Sequence, residues 1–303
     1  MFKIIAHGKH KWIYANTADE EILKYIKKFC RVHPLDWEDV QSEAHDSKLD
    51  VYNKYIFAIF NFPSYDSKNK KVNISKLDVF IGKNFLITIH RENLDVLAEF
   101  FKKIKNSPRL REEWLGKGAD FMLFKILQEL YKSALRPVAD ILSVRLTEME
   151  KNVYEIDRRD IEELAALRRN ILSMRRLVDP QRSLISSLGS VKVDLIRNEY
   201  NPYFDDIRDF LDKIWVRLEN YRDTIDGLYE TNESLMAYKT NEIIKILTVI
   251  SVSLMPLTLL ASIYGMNISL PLANRQYYIW IIFGGLAVVM IFLAYLLKKR
   301  RWF

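Results

Sequence analysis

The first part of the chain alternates short apolar strands with short amphipathic helices. A capping box of Thr17 and Glu20 predicts a helix over Ala18–Arg31 that Pro34 ends, and Asp36–Val40 and Leu94–Lys105 also have a helical pattern. The predicted strands are Phe2–His7, Lys11–Asn16, Tyr55–Asn61, Leu77–Ile81 and Phe85–His90, with hairpin turns at Gly8 and at Gly82-Lys83-Asn84. Residues 1–118 are therefore expected to form a small α/β domain.

From Asp120 onward the apolar pattern has a helical period. One face of a long helix carries Phe121, Phe124, Leu127, Leu130, Ala134, Val138, Ile141 and Met149, and Pro137 is placed to kink it. Two further helices are predicted over Asp160–Val178 and Ser183–Glu199, because Pro180 and then Asn201-Pro202 interrupt the pattern. Residues 119–239 are expected to be a helical region.

A heptad repeat follows Pro202 and predicts a stalk helix that packs on other helices. Its positions are Phe204, Ile207, Leu211, Ile214, Leu218, Tyr221, Ile225 and Leu228. The next proline is Pro256, and Gly227 alone does not end a helix. We therefore predict one continuous helix from about Tyr203 to Tyr264, roughly 90 Å long at 1.5 Å per residue.

The last sixty residues contain two long apolar runs. Residues 243–264 and 277–297 are each long enough to cross a bilayer core as a helix, since about 20 apolar residues suffice. A polar connector at 265–276 separates them, and a basic tail at 298–303 follows. Residues 240–303 are thus expected to form a transmembrane hairpin with the loop outside.

The first apolar run differs from the second by a stripe of polar and sulfur-containing residues. The stripe consists of Thr248, Ser251, Met255, Thr258 and Ser262, at steps of 3 and 4 that place them on one helical face. Such a face packs against another helix or lines a water-filled path, and both interpretations remain open at this point.

Charge and composition set the orientation and narrow the function class. Lys298–Arg301 places the C-terminus in the cytoplasm by the positive-inside rule, and two spans return the N-terminus to the same side of a cell (plasma or inner) membrane. Cys30 is the single cysteine, which suits a reducing cytosol. The basic cluster abuts a membrane span, so the net charge of +7 does not indicate nucleic-acid binding. Phosphate-binding loops and nucleophile elbows are lacking, so no enzyme is predicted.

Three groups of residues near the end of the chain resemble the CorA family of magnesium transporters. They are Tyr264-Gly265-Met266-Asn267, Thr240-Asn241-Glu242 and Met255-Pro256-Leu257-Thr258, and His33-Pro34-Leu35 adds a weaker match. The resemblance implies a CorA-like funnel, a ring of five copies whose partners are divalent cations and membrane lipid. It implies magnesium as the transported and the regulatory ion, with no organic cofactor. A two-span hairpin cannot enclose a pore alone, so transport requires such an oligomer.

The resemblance also assigns roles to individual residues. Asn267 with Gly265 and Met266 is the expected selectivity filter, because an amide carbonyl can accept hydrogen bonds from the water shell that Mg²⁺ sheds reluctantly. In a ring of subunits, Asn241 is expected to form a polar ring at the cytoplasmic mouth of the pore, and Ile244 and Leu247 a hydrophobic gate. The alternatives are that Gly-Met-Asn is only a helix cap, and that the two apolar residues only pack between helices.

The stalk segment 204–238 holds nine acidic and four basic residues, a net charge of −5. This pattern is typical of a solvated face, but in a ring the repulsion would also favour bound cations and hence a magnesium sensor. The resemblance points to Glu230 with Asp66 of a neighbouring copy. Two other functions stay open. The first is transport of Co²⁺, Ni²⁺ or Zn²⁺ by the same scaffold, although Met266 argues against Zn²⁺. The second is a cytosolic scaffold protein that the hairpin only anchors to the membrane.

Overall fold

The computed structural model describes residues 2–44, 46–91, 94–151, 158–191, 193, 195–266 and 276–299. By its internal contacts the chain divides into two compact units, Met1–Leu228 and Tyr229–Phe303. The first unit contains a sheet and most helices, and the second contains the end of the longest helix and the helix after it.

A six-stranded mixed sheet forms the centre of the first unit. Its strands are β1 (Phe2–His7), β2 (His10–Ala15), β3 (Lys48–Val51), β4 (Ile56–Asp66), β5 (Lys71–Gly82) and β6 (Phe85–Ile89). The order across the sheet is β1-β2-β6-β5-β4-β3, and only β2 and β6 run parallel. The five predicted strands and both hairpins are confirmed, while β3 was missed because its alternation of polar and apolar residues covers only four positions, KLDV.

Both faces of the sheet are covered, which explains the unbroken apolar run at the start of β4. On one face Phe57 and Phe80 join a core with α1 (Glu20–Ile26) and α2 (Pro34–Gln41). On the other face Trp12 contacts the rings of Phe100 and Phe101 in α3 (Asp95–Asn106). The sheet and the helices that cover it therefore form a layered α/β arrangement.

The start of α1 corrects the predicted cap. Asp19, not Thr17, is the N-cap, and its carboxylate accepts from the Ile22 N–H at 3.0 Å while the Thr17 hydroxyl donates to the same carboxylate. The helix ends at Ile26 rather than near Arg31, and Pro34 begins α2 instead of ending α1. Proline suits the first turn of a helix, where its missing N–H would have no partner.

The long helix after Asp120 contains a π-helical turn that shifts its buried face. α4 (Ala119–Leu130) leads through the π turn Tyr131–Leu135 into α5 (Arg136–Lys151). The extra residue of the π turn advances the apolar face by one position. Leu142 and Leu146 are therefore buried where the regular period predicts Ile141 and Met149, which are half-exposed.

The predicted break at Pro180 is wrong. α6 runs from Arg158 to Gly189 through Pro180, and the described residues 190, 191, 193 and 195–197 are not helical, so the predicted helix does not continue there to Glu199. The side chain of the next residue, Gln181, donates to the Leu177 carbonyl at 3.1 Å and thus hydrogen-bonds a carbonyl of the preceding turn. Gln181 also donates to the Asn61 carbonyl and accepts from the Tyr131 hydroxyl, and these tertiary contacts lie where proline would usually end a helix.

The predicted continuous helix is confirmed as α7 (Asn201–Tyr264), and α8 (Gln276–Lys299) follows it. Within the first unit, seven of the eight heptad residues are buried, and Tyr221 is half-exposed. The heptad seam thus packs into the first unit of its own chain, where Phe204 contacts the Phe124 ring of α4.

Candidate functional site

The last third of α7 exposes apolar side chains to the surroundings. Ile244, Leu247 and Met255 are 54%, 61% and 66% exposed. Among the described residues, α7 is the helix long and apolar enough to cross a membrane, and α8 contains a shorter apolar stretch at Trp280–Phe292. Apolar surface of this extent is expected to contact lipid or further copies of the chain rather than water.

The polar stripe on this part of α7 presents oxygen acceptors. The hydroxyls of Thr248, Thr258 and Ser262 donate to the carbonyls of Ile244, Leu254 and Thr258, at 2.7, 3.1 and 2.8 Å. A hydroxyl has one hydrogen and two lone pairs, so each of these groups uses its hydrogen within the helix and keeps acceptor capacity outward. This arrangement suits a neighbouring cation or its hydration water.

The stripe lies on the open side of the helix. The half-buried residues of the same segment, among them Val249, Ser253, Leu257 and Leu260, share one face. At 100° per residue the stripe points roughly 150° away from that face, and Thr248, Ser251, Met255, Thr258 and Ser262 are all exposed. The chain therefore does not cover its own stripe, and the polar residues do not serve packing within one copy.

The expected mouth and gate residues continue the same open side. Asn241, Ile244 and Leu247 are all exposed. By the helical period Ile244 lies in the direction of the stripe, with Asn241 and Leu247 about 60° to either side. The structure thus puts these three residues on the face that carries the hydroxyls.

The helix ends just before the expected filter. Tyr264 is its last residue, and the N–H groups of Gly265 and Met266 still donate to the carbonyls of Ala261 and Ile263, at 2.9 and 3.3 Å. A Cβ on Gly265 would lie 3.2 Å from the Ala261 carbonyl oxygen, so a larger residue would crowd this turn. Asn267 lies outside the described residues, so its role and those of Gly265 and Met266 stay predictions.

The two acids expected to bind regulatory magnesium belong to different units of the chain. Asp66 ends β4 and accepts from the backbone N–H groups of Lys68 and Asn69 and from the Asn69 side chain. The Asn69 hydrogen bonds, the side-chain one first, hold the pKa of Asp66 below its ordinary value, so this carboxylate is ionised. Glu230 is exposed on α7. Within the described part of the chain, His, Cys, Asp and Glu form no cluster of three that could hold a metal ion.

Comparison with known proteins decides the family. The model of the family described as "CorA-like Mg2+ transporter protein" matches residues 7–299. This chain belongs to that family. Membership makes it a membrane transporter of divalent cations rather than an enzyme.

CorA relatives match over nearly the whole chain. The Cobalt/magnesium transport protein CorA of Thermotoga maritima is 26% identical over 93% of this chain and 80% of its own length. The protein of the same name from Methanocaldococcus jannaschii is 25% identical over 94% of this chain and 88% of its own. The complete structure of the CorA magnesium transporter from Methanocaldococcus jannaschii superposes with a TM-score of 0.81 at 22% identity, covering 99% of this chain and 94% of that one. The fold is therefore the CorA fold.

Three of the acids in the stalk segment of this CorA-family chain are already paired. Asp212, Glu219 and Asp226 on α7 form ion pairs with arginines of α6, and both sets are spaced by seven residues. The pairs, which we call the arginine ladder, are Arg182–Asp212, Arg175–Glu219 and Arg168–Asp226. The net charge of −5 therefore overstates the negative charge that the segment offers to cations.

The sequence analysis missed the α6 half of the arginine ladder and the buried amide of Gln181. The ladder had a readable signal, since Arg168, Arg175 and Arg182 repeat at the same interval of seven as the acids on α7. The predicted break at Pro180 hid this signal, because Arg182 was placed between the two predicted helices rather than on the helix that carries Arg168 and Arg175. No sequence signal distinguishes Gln181 from an exposed glutamine.

Proposed function

We propose that this chain is one subunit of a ring-shaped channel that lets Mg²⁺ flow passively into the cell. Residues 243–264 and 277–297 are the two spans, and both termini lie in the cytoplasm of a cell whose plasma or inner membrane holds the protein. The observation that carries this proposal is the stripe on α7, which is exposed on the side opposite the half-buried face. A helix that only anchored a cytosolic scaffold would have no use for it.

The ring follows from the energetics of the stripe. Hydroxyl groups facing acyl chains are unfavourable, so copies of α7 gain by turning their stripes toward a common axis. That axis becomes a water-filled path lined by Asn241, Thr248, Ser251, Met255, Thr258 and Ser262. The family resemblance supports five copies.

The filter of this channel is the Gly265-Met266-Asn267 triplet. In a ring, Asn267 contributes one amide carbonyl per subunit and accepts hydrogen bonds from the water shell of the ion. Mg²⁺ keeps its waters, and a neutral carbonyl holds the hydrated ion weakly enough to release it. Gly265 allows the chain to leave the helix, since a side chain there would crowd the Ala261 carbonyl.

The gate consists of Ile244 and Leu247 above the Asn241 ring. A narrow apolar constriction blocks ions when it loses its water. No nucleotide-driven step is needed, because a membrane potential of 100 mV supplies about 2.3 kcal/mol per charge and about twice that for a divalent ion.

Regulation follows from the acids on the cytosolic side. Mg²⁺ between Glu230 and Asp66 of neighbouring subunits relieves repulsion and holds the ring closed, and loss of the ion lets the subunits separate and the gate open. The ionised state of Asp66 supports this role. Because of the arginine ladder, only the acids of the stalk segment that do not pair with arginines of α6 are free to bind regulatory Mg²⁺.

A second candidate is transport of another divalent ion by the same path. Two relatives carry the name Cobalt/magnesium transport protein CorA, which favours Co²⁺ as the first ion to compare. Ni²⁺ and Zn²⁺ are the other candidates, and Met266 in the middle of the triplet speaks against zinc.

Flux into liposomes tests the filter. We expect Asn267→Ala to lower the Mg²⁺ flux at least tenfold while the protein keeps its size on gel filtration, because the variant loses the carbonyl that meets the hydrated ion. The same liposomes report the flux of Co²⁺, Ni²⁺ and Zn²⁺, and we expect Mg²⁺ to exceed Zn²⁺.

The matched control is Asn274→Ala, which removes an amide from the same loop (residue 274 also lies outside the described residues). It should conduct as the parent does. Normal Mg²⁺ flux in Asn267→Ala removes this residue from the mechanism, and a Co²⁺ or Zn²⁺ flux well above that of Mg²⁺ selects the second candidate.

A further inference from the structure

A basic cavity in the first unit is lined by none of the residues assigned to transport above. Its volume is about 660 Å³, within the range of small-molecule sites. Lys9 of the β1–β2 turn and Lys83 of the β5–β6 turn line it. The topology brings these turns together, because β2 and β6 are parallel neighbours and the Lys11 N–H donates to the Asn84 carbonyl at 3.0 Å.

An ion pair fixes the position of another lining residue, Arg197. Arg197, just before α7, binds the buried Asp120 of α4 through two hydrogen bonds of 2.8 Å and also donates to the Lys117 carbonyl. Gly118 lies between the two with φ +137°, and a Cβ there would be 2.4 Å from a guanidinium nitrogen of Arg197. The backbone at residue 118 therefore requires glycine, and the hydrogen bonds to Asp120 fix the position of Arg197.

The cavity has an excess of positive charge. Arg197 is neutralised by Asp120 and also pairs with the exposed Glu199, while Lys9, Lys83 and Lys117 line the cavity; the Lys117 ammonium lies 4.6 Å from the centroid of the Phe121 ring. None of these three lysines forms an ion pair with any acid that the structure describes. Lys192 and Asp194, which flank the lining residue Val193 in the sequence, lie outside the described residues. Three cations around one cavity attract a multiply charged anion more strongly than a singly charged one.

Uncharged hydrogen-bond donors complete the lining. Asn84, Asn198 and Asn201 line the cavity, and a 3-10 turn over Asn198–Tyr200 leads into α7, with the Asn201 N–H donating to the Asn198 carbonyl.

We propose that this cavity binds a linear polyphosphate group, either free or as part of a nucleoside triphosphate. A phosphate chain has several negative charges and many acceptor oxygens, which match three ammonium groups and the amide donors. A second cavity of about 540 Å³ shares Lys83 and Asn84 with the first and is lined by Phe29 and Phe85. It offers space for a nucleoside beside the phosphate chain.

Calorimetric titration of the full-length protein in detergent, without Mg²⁺, tests this site. The probes are tripolyphosphate, ATP and inorganic phosphate. We expect saturable binding of tripolyphosphate, at least tenfold tighter than that of phosphate. Equal affinity for ATP and tripolyphosphate means that only the phosphate chain is held, and tighter binding of ATP means that the second cavity takes the nucleoside; both support the site.

The variant Lys9→Gln/Lys83→Gln/Lys117→Gln should weaken tripolyphosphate binding at least tenfold. Its control, Lys102→Gln/Lys103→Gln/Lys105→Gln, removes the same charge from α3 outside the cavity and should bind within twofold of the parent. Thermal unfolding of both variants establishes that they are folded. The proposal is overturned if the parent shows no saturable binding, if phosphate binds as tightly as tripolyphosphate, or if both triple variants bind alike.

Discussion

Gln181 is a fully buried amide that links three elements. Its Oε1 accepts from the Tyr131 hydroxyl at 2.9 Å, and its Nε2 donates to the carbonyls of Asn61 and Leu177 at 2.8 and 3.1 Å. One side chain thus connects β4, the π turn and α6. Buried polar groups are costly when unpaired, so these contacts reinforce each other at the position where Pro180 removes a helical hydrogen bond.

Replacement of this amide by Gln181→Ala should destabilise the protein by about 2–3 kcal/mol, because it leaves buried polar groups without these partners. For a chain of this size that corresponds to a fall in Tm of roughly 5 °C. Tryptophan fluorescence of the detergent-solubilised protein during heating measures it. Gln41→Ala, at the exposed end of α2, is the control and should leave Tm unchanged. An unchanged Tm in Gln181→Ala would show that water or neighbouring groups replace the amide.

At the scale of elements, the arginine ladder orients α6 against α7. Charges at intervals of seven on two antiparallel helices meet only in one register, so the ladder specifies how the helices align. The ring of Trp215 strengthens it, since the guanidinium groups of Arg175 and Arg182 lie 5.1 and 5.2 Å from its centroid. Arginine stacks on such a ring while it pairs with a carboxylate.

Reversal of the central pair tests this register. Arg175→Glu places a carboxylate against Glu219 and removes the stacked guanidinium, so we expect a loss of about 1–2 kcal/mol, seen as a lower Tm. Adding Glu219→Arg restores an ion pair in the opposite sense and should recover part of the loss. Arg176→Glu, on the exposed side of α6, is the control with the same charge change and little expected effect. If the double variant is no more stable than Arg175→Glu alone, the pair does not set the register.

The same elements show how far sequence reasoning reaches. Strong periodicity was sufficient for five of the six strands and for α7, because burial on a regular pattern leaves a direct trace in the sequence. It failed where the helix geometry changes or a tertiary contact overrides local preference. The π turn at Tyr131–Leu135 moved burial from Ile141 to Leu142, and the helix continues through Pro180, next to which Gln181 hydrogen-bonds Asn61 and Tyr131. The stripe on α7 was readable, but its exposure on the side away from the half-buried face required the structure.

At the scale of the whole molecule, the exposed face of α7 argues that one chain is incomplete. Its apolar residues need lipid or protein around them, and its hydroxyls need water or protein, so a single copy in a bilayer satisfies only one of these demands. Copies arranged around an axis satisfy both. The same symmetry would bring acids of neighbouring cytosolic domains together, and we propose that this couples the ring to the concentration of divalent cations.

Protection of the assembled protein by magnesium tests that coupling. We expect tryptic cleavage of the purified protein to slow several-fold as Mg²⁺ rises through the millimolar range at constant ionic strength, because ions between Glu230 and Asp66 of adjacent subunits hold the ring together, and EDTA should reverse the effect. The double variant Glu230→Gln/Asp66→Asn should lose most of this protection, whereas Glu99→Gln/Glu112→Gln, which neutralises two exposed acids elsewhere, should keep it. A cleavage rate that does not change with Mg²⁺ rules out the sensor but not the pore, since the role of Asn267 is tested independently by the flux measurement. If both variants are still protected by Mg²⁺, other acids of the ring are the sensor.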